Sequence, residues 1–264
     1  MNVFGGSRSV GNAIRGPRGF RGKDGSMIDL CNWLPKTVLK NLQENDEKCC
    51  FFITDPKKDI KREREGADIT KWISRSNAGM SLLAEKPSRE IEELLENRFV
   101  MDFKKTRYYS DDLALLVNPP FYYGFFCITF RVSIDDEQVL VSDYQHGQNC
   151  YCEIKVTSTE LFIHAHTAEE IIPHNCKEWT TLFIEHRSDL TTTHYNYNVN
   201  GVTGSMMSPA IEHTEGGFAL GSRWDDTYFL NGQIASLEMY GILHPAPFPE
   251  DLKKIVIKNQ HMSL

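Results

Sequence analysis

No window of the sequence approaches the roughly 18 uninterrupted apolar residues that a membrane-spanning helix requires, so insertion into a bilayer through helices is not expected. The opening residues, Met-Asn-Val-Phe-Gly-Gly-Ser-Arg-Ser-Val-Gly, lack the apolar core of a secretory leader. No Asn begins an Asn-x-Ser/Thr glycosylation site, and the seven cysteines are an odd number that cannot all pair within one chain. Together these absences predict folding in a reducing cytoplasm. Signatures of chemistry are missing as well. Without Gly-x-Ser-x-Gly there is no local anchor for Ser/His/Asp catalysis, and without Cys-x-x-Cys the vicinal Cys49-Cys50 has no redox partner at the usual spacing. Glycan hydrolysis on a β-sandwich needs two carboxylates on one face of a strand, as in Glu-x-Asp-x-Glu, and that phrase is absent too. The chain reads as non-enzymatic.

Charge is unevenly spread. Residues 1–26 carry Arg8, Arg15, Arg18, Arg21 and Lys23 against Asp24, while the remainder holds 24 basic and 35 acidic residues, a net −11. An acidic body of this kind is a poor match for nucleic acid. The basic arm is either a solvated tail or a docking element for an acidic surface.

Within that arm, Gly16, Gly19, Gly22 and Gly25 keep a three-residue period through Gly-Pro-Arg-Gly-Phe-Arg-Gly-Lys-Asp-Gly. Only Gly fits at the axis of three wound polyproline-type strands, so this register is the one a collagen triple helix demands. Three triplets cannot hold such a helix alone. The following segment, residues 27–48, places Val38, Leu39 and Leu42 on one face of a short helix opened by Pro35. It either packs about a three-fold axis, making Val38 and Leu42 trimer contacts, or caps its own subunit. The organisation expected is a Gly-rich tail at 1–26, a helical segment at 27–48 and a single head at 49–264.

From Cys49 the pattern becomes a series of short β-like runs with turn signals between them, including Cys50–Thr54, Ile69–Asn77, Phe99–Phe103, Gly124–Ile134, Gln138–Tyr144, Cys150–Val156, Glu160–His166, Glu178–Arg187 and Tyr195–Val199. Asn200-Gly201 marks a tight hairpin. Ser88–Glu96, with Glu90, Glu92, Glu93 and Glu96, reads as a short solvated helix, and an apolar segment from Phe248 as a C-terminal helical one. The expected class is all-β, a two-sheet antiparallel jelly-roll sandwich with a short N-terminal helix.

The order of several phrases is similar to that of laminin G-like, concanavalin A-like jelly-roll domains. Ile69-Thr-Lys-Trp-Ile-Ser-Arg-Ser-Asn77 resembles their W-x-D-R-S-G phrase, with Ser74 for Asp and Asn77 for Gly. Phe99-Val-Met-Asp-Phe103, Phe126-Cys-Ile-Thr-Phe-Arg-Val132, Glu178-Trp-Thr-Thr-Leu-Phe-Ile-Glu-His-Arg187 and Tyr197-Asn-Val-Asn-Gly-Val202 follow in the family's order. Gly216-Gly-Phe-Ala-Leu-Gly-Ser-Arg223 and Phe229–Tyr240 close it. The resemblance implies a lectin, an adhesion module or a glycan hydrolase, and in some members a bound calcium ion.

Two loops carry the residue types that sugar C–H faces and hydroxyls require, aromatic rings beside acids and amides. One is Arg223-Trp224-Asp225-Asp226-Thr227-Tyr228, whose Asp225 and Asp226 are also the calcium candidates, with Asp143 weaker; the other holds Gln145, His146, Gln148 and Asn149. Cys150-x-Cys152 and His164-x-His166 have zinc-like spacing, but strand parity opposes a shared site. A two-residue turn at Ser158-Thr159 pairs residues whose numbers sum to 317, placing Cys152, Ile154, Leu161 and Ile163 on one face. Tyr151, Glu153, Lys155, Phe162, His164 and His166 then share the other. The function expected is a trimeric glycan- or receptor-binding head on a collagen-like lead, similar to a viral attachment fibre at a virion surface. The alternatives are a secreted adhesion or matrix module and, third, a glycan hydrolase.

Overall fold

The computed structural model describes residues 49–53, 62–65, 68–73, 81–95, 98–110, 123–144, 152–189, 191–209, 217–223 and 225–242. The Gly triplets, Val38, Leu42, both terminal helical expectations and the loop holding His146, Gln148 and Asn149 lie outside them, as does Trp224.

The described chain is all-β and antiparallel. Its strands are β1 (Cys49–Ile53), β2 (Arg62–Glu65), β3 (Asp68–Ile73), β4 (Ser81–Leu95), β5 (Arg98–Lys104), β6 (Arg107–Ser110), β7 (Tyr123–Val132) and β8 (Gln138–Tyr144). They continue as β9 (Cys152–Val156), β10 (Glu160–Ala165), β11 (Ala168–Pro173), β12 (Thr180–Ser188), β13 (Thr192–Val199), β14 (Val202–Pro209), β15 (Gly217–Leu220) and β16 (Asn231–Ile242). Hydrogen bonding runs in the order β11-β10-β9-β8-β15-β6-β4-β5-β16-β7-β12-β13-β14, with β1 added to β16, and β3 to β4.

This ladder folds over at β4. Near its start β4 pairs with β6 (Leu83↔Tyr109), and further on with β5 (Arg89↔Asp102), so one strand passes the sheet from the first layer to the second. The two layers then face each other across a common core that includes Trp72, Phe103, Ile128, Phe130, Ile154, Ile163, Leu182, Leu220 and Leu237. Ser88–Glu96 was expected to be helical. Through Leu95 it is strand instead, because cross-strand pairing on both sides outweighs the intrinsic helix preference of a Glu- and Leu-rich segment.

Two hairpins follow the sequence reading closely. In β9–β10, Val156↔Leu161, Ile154↔Ile163 and Cys152↔Ala165 all have the expected register, and all six are buried. In β13–β14, Val199 pairs with Val202 across Asn200 (φ 46°) and Gly201 (φ 94°), the two positive values a tight primed turn requires. The second layer departs from simple alternation. Along β7, Phe126, Ile128 and Phe130 face the shared core, yet Phe125, Cys127 and Thr129 on the other face are buried too. That outer face also holds Phe183 stacked on Phe125, and Thr129 hydrogen-bonded to Thr181.

Candidate functional site

The outer face of β9, β10 and β11 is the part of the first layer where polar and aromatic side chains converge. Cross-strand register sets them in rows. Lys155, Phe162 and Ile171 form one row, and Glu153, His164 and Glu169 the next. Ile171 is half exposed, and Lys155 lies over the Phe162 ring at 5.2 Å while pairing with Glu137 at 3.6 Å. His164 Nδ1 is 3.7 Å from Glu169. His164 and Cys152 stand on opposite faces, so the zinc-like spacing joins no shared site.

The loop between β15 and β16 is fastened to this face. Arg223 donates from Nε and Nη2 to the two carboxylate oxygens of Glu153, at 2.7 and 2.6 Å, and its guanidinium lies 4.6 Å from the centre of the Tyr228 ring. The bidentate fork is the geometry Arg uses with a carboxylate, and it explains how Glu153 is buried on an outer sheet face. Tyr228, 45% exposed, is held beside β8 by its carbonyl, which accepts from Val139 N–H at 2.7 Å. Val139 pairs with Lys155, so Tyr228 extends the row of Lys155, Phe162 and Ile171 to the rim. Across β11, β10, β9 and β8, at ~4.8 Å per strand, these rows span about 15 Å.

Within the loop, Asp226 and Tyr228 adopt φ of 64° and 52°, a region that costs a non-glycine residue about 1–2 kcal/mol. Hydrogen bonds from Arg223 N to Thr227 O (3.0 Å) and from Asp226 N to Arg223 O (3.2 Å) hold it there. Asp225 Oδ1 accepts from the Thr227 amide and hydroxyl, and Asp226 pairs with Arg107 at 3.1 Å. Arg107 also pairs with Glu85. These acids do not fit a calcium site, since one carboxylate is turned back on its own loop and the other faces a guanidinium. Asp143 is opposite Cys152 and 1% exposed, closed off from the loop. Among the described residues no group of three or more His, Cys, Asp or Glu is placed to hold a metal ion.

Of the residues expected from sequence, Arg223 and Tyr228 therefore join the patch of Glu153, Phe162 and His164, whereas Asp225 turns to its own loop and Asp226 to Arg107. Arg107, Glu85, Ile171 and Glu169 were not anticipated. They come from other strands, and no local spacing announces them. The second layer has its own pair of buried carboxylates, Glu185 on β12 and Glu238 on β16, 2% and 1% exposed. Register through β7 puts two strand intervals and two residues between them, about 12 Å between backbones.

No family model matches this sequence, and no curated protein matches it. Several solved structures are similar in chain path. Domain 4 of AbnA, a GH43 extracellular arabinanase from Geobacillus stearothermophilus, in complex with arabinotriose, aligns with a TM-score of 0.41 and 11% identity over 80% of this chain and 91% of that one. Basic winged bean lectin with Tn-antigen aligns with a TM-score of 0.38 and 7% identity over 74% of this chain and 98% of the lectin. A native heptameric SAP-like pentraxin from Limulus polyphemus aligns with a TM-score of 0.34 and 11% identity; the match covers 44% of this chain and 63% of the pentraxin. Likenesses this distant leave the reading of the site to its own geometry.

Proposed function

We propose that this protein is a non-enzymatic binding head whose ligand is a glycan, taken on the outer face of β9, β10 and β11 beside the Arg223–Tyr228 loop. The Arg223–Glu153 fork carries this reading, because it makes one surface of a strained loop and a sheet face. Tyr228 and Phe162 supply the aromatic faces that sugar C–H surfaces pack on, and His164 and Glu169 supply polar groups for hydroxyls. The sequence holds no Glu-x-Asp-x-Glu phrase, which favours binding over hydrolysis.

A glycan array, followed by calorimetry on the best ligand, tests the site with Tyr228→Ala and Glu153→Gln. Each substitution should weaken binding at least tenfold, and EDTA should leave it unchanged. Binding that survives both substitutions, or no glycan bound at all, would reject the site, and the second outcome would favour a protein receptor.

The Gly register at Gly16, Gly19, Gly22 and Gly25, followed by Val38 and Leu42, supports display of this head as a homotrimer on a collagen-like lead, as in an attachment fibre. Three heads would multiply a weak contact through avidity. Light scattering of the full chain at low micromolar concentration should give three chains per particle; a mass of one chain would end the fibre reading.

A further inference from the structure

Strands β8 to β11 contain one basic residue, Lys155, against Asp143, Glu153, Glu160, Glu169 and Glu170. Residues 145–151, which join β8 to β9, add no Lys or Arg, and the loop after β15 adds Arg223 together with Asp225 and Asp226. Lys155 and Arg223 are thus the cations that these strands and this loop supply. Both are held by carboxylates. Arg223 has Nε and Nη2 on the two oxygens of Glu153 and its flat face on Tyr228, while Lys155 pairs with Glu137. Arg107, which reaches the loop from β6, is shared between Glu85 and Asp226.

Exposure decides which charge a ligand meets. The side chains of Lys155 and Arg223 are 18% and 27% exposed, whereas those of Glu137 and Glu169 are 39% and 42%. The face therefore presents negative charge. Glu169 lies two residues from Ile171 on the same side of β11, in the row beside Phe162, and His164 turns its Nδ1 toward it. An ionised carboxylate only accepts hydrogen bonds. A sugar ring packed on Phe162 and Ile171 can satisfy Glu169 with donating hydroxyls, but a ligand carboxylate or sulfate has no proton to give and sets like charge against it.

We propose that the glycan taken by this face carries no acidic groups: Glu169 selects uncharged or amino sugars and excludes uronic, sialylated and sulfated ones. This inference rests on the glycan reading above and narrows it to a ligand class. Glu169 is the specificity-determining residue. Glu137 assists it, because an ammonium held by Glu137 is kept from an acidic ligand.

The test compares glycans in matched pairs that differ only in a carboxylate or a sulfate, by array and then by calorimetry on the full chain at pH 8 and low salt. Wild type should bind each acidic member about tenfold or more weakly than its neutral parent. Glu169→Lys should reduce that preference by about tenfold or more. Glu137→Gln, which releases the Lys155 ammonium, should reduce it by a smaller factor, with circular dichroism unchanged in both variants. Should Glu169→Lys fail to fold, Glu169→Gln removes the charge alone and decides in its place. Wild type that binds acidic glycans as tightly as their neutral parents would overturn the inference and leave the glycan reading standing, and so would a preference that none of these variants moves. No glycan bound in either form would reject the glycan reading and this inference with it.

Discussion

Gly201 and Gly221 both sit in the left-handed region, at φ +94° and +87°, yet their surroundings differ. A Cβ at Gly201 would meet nothing within 4 Å, whereas one at Gly221 would lie 2.4 Å from the Phe103 ring. Gly201→Ala is therefore expected to cost about 1–2 kcal/mol of backbone strain alone. Gly221→Ala should add overpacking of about 1–3 kcal/mol to the same strain. Urea unfolding of the two variants separates these contributions, and equal losses would contradict the packing argument. Glu153 bears on stability as well as on binding. With Arg223 only 27% exposed in its side chain and Glu153 5%, Glu153→Gln removes the charge from a nearly closed ion pair. A destabilisation of about 1–3 kcal/mol is expected by denaturant titration.

At the level of elements, what the sequence disclosed depended on how local the determinant was. The register of β9–β10 and the turn at Asn200-Gly201 were readable because a two-residue turn and a period of two leave no freedom. β4 was not readable. Its residues carry helix-forming Glu and Leu, and only pairing with β3, β5 and β6 makes them a strand. An isolated peptide of residues 81–96 should accordingly show no β signature by circular dichroism in dilute solution. A stable β spectrum would place the preference in the segment itself. The candidate site was half legible. The composition of the 223–228 loop pointed to it, as did the parity that put Glu153, Phe162 and His164 together. Their union was hidden, because Arg223 and Glu153 are 70 residues apart.

For the molecule as a whole, the seam between the layers carries a titratable group. His186 is 4% exposed beside an apolar cavity of about 10 Å³ that Cys152 and Tyr195 also line, and its Nε2 has no hydrogen-bond partner. Burial pulls its pKa down from 6.5 to about 4, against a smaller upward pull from Glu185. The unfolded chain therefore takes up this proton first. Stability should be fully present above pH 6.5 and fall as pH drops toward 4, by about 3 kcal/mol from this group. Thermal midpoints for wild type and His186→Gln between pH 7 and 4 check the slope, which the variant should flatten. Burial also pushes the thiols of Cys127 and Cys152 up and that of Cys176 to about 12. All three should resist alkylation until the protein unfolds.

β16 lies between β7 on one side and β5 and β1 on the other, although it is the last strand described. A ribosome making this chain releases β1, β5 and β7 long before the strand that joins them. Until residue 242 has cleared the exit tunnel, the apolar runs of β5 and β7 have no central partner. Such a head completes its second layer only once β16 has emerged, and it spends the interval before that exposed to aggregation or in the care of a chaperone.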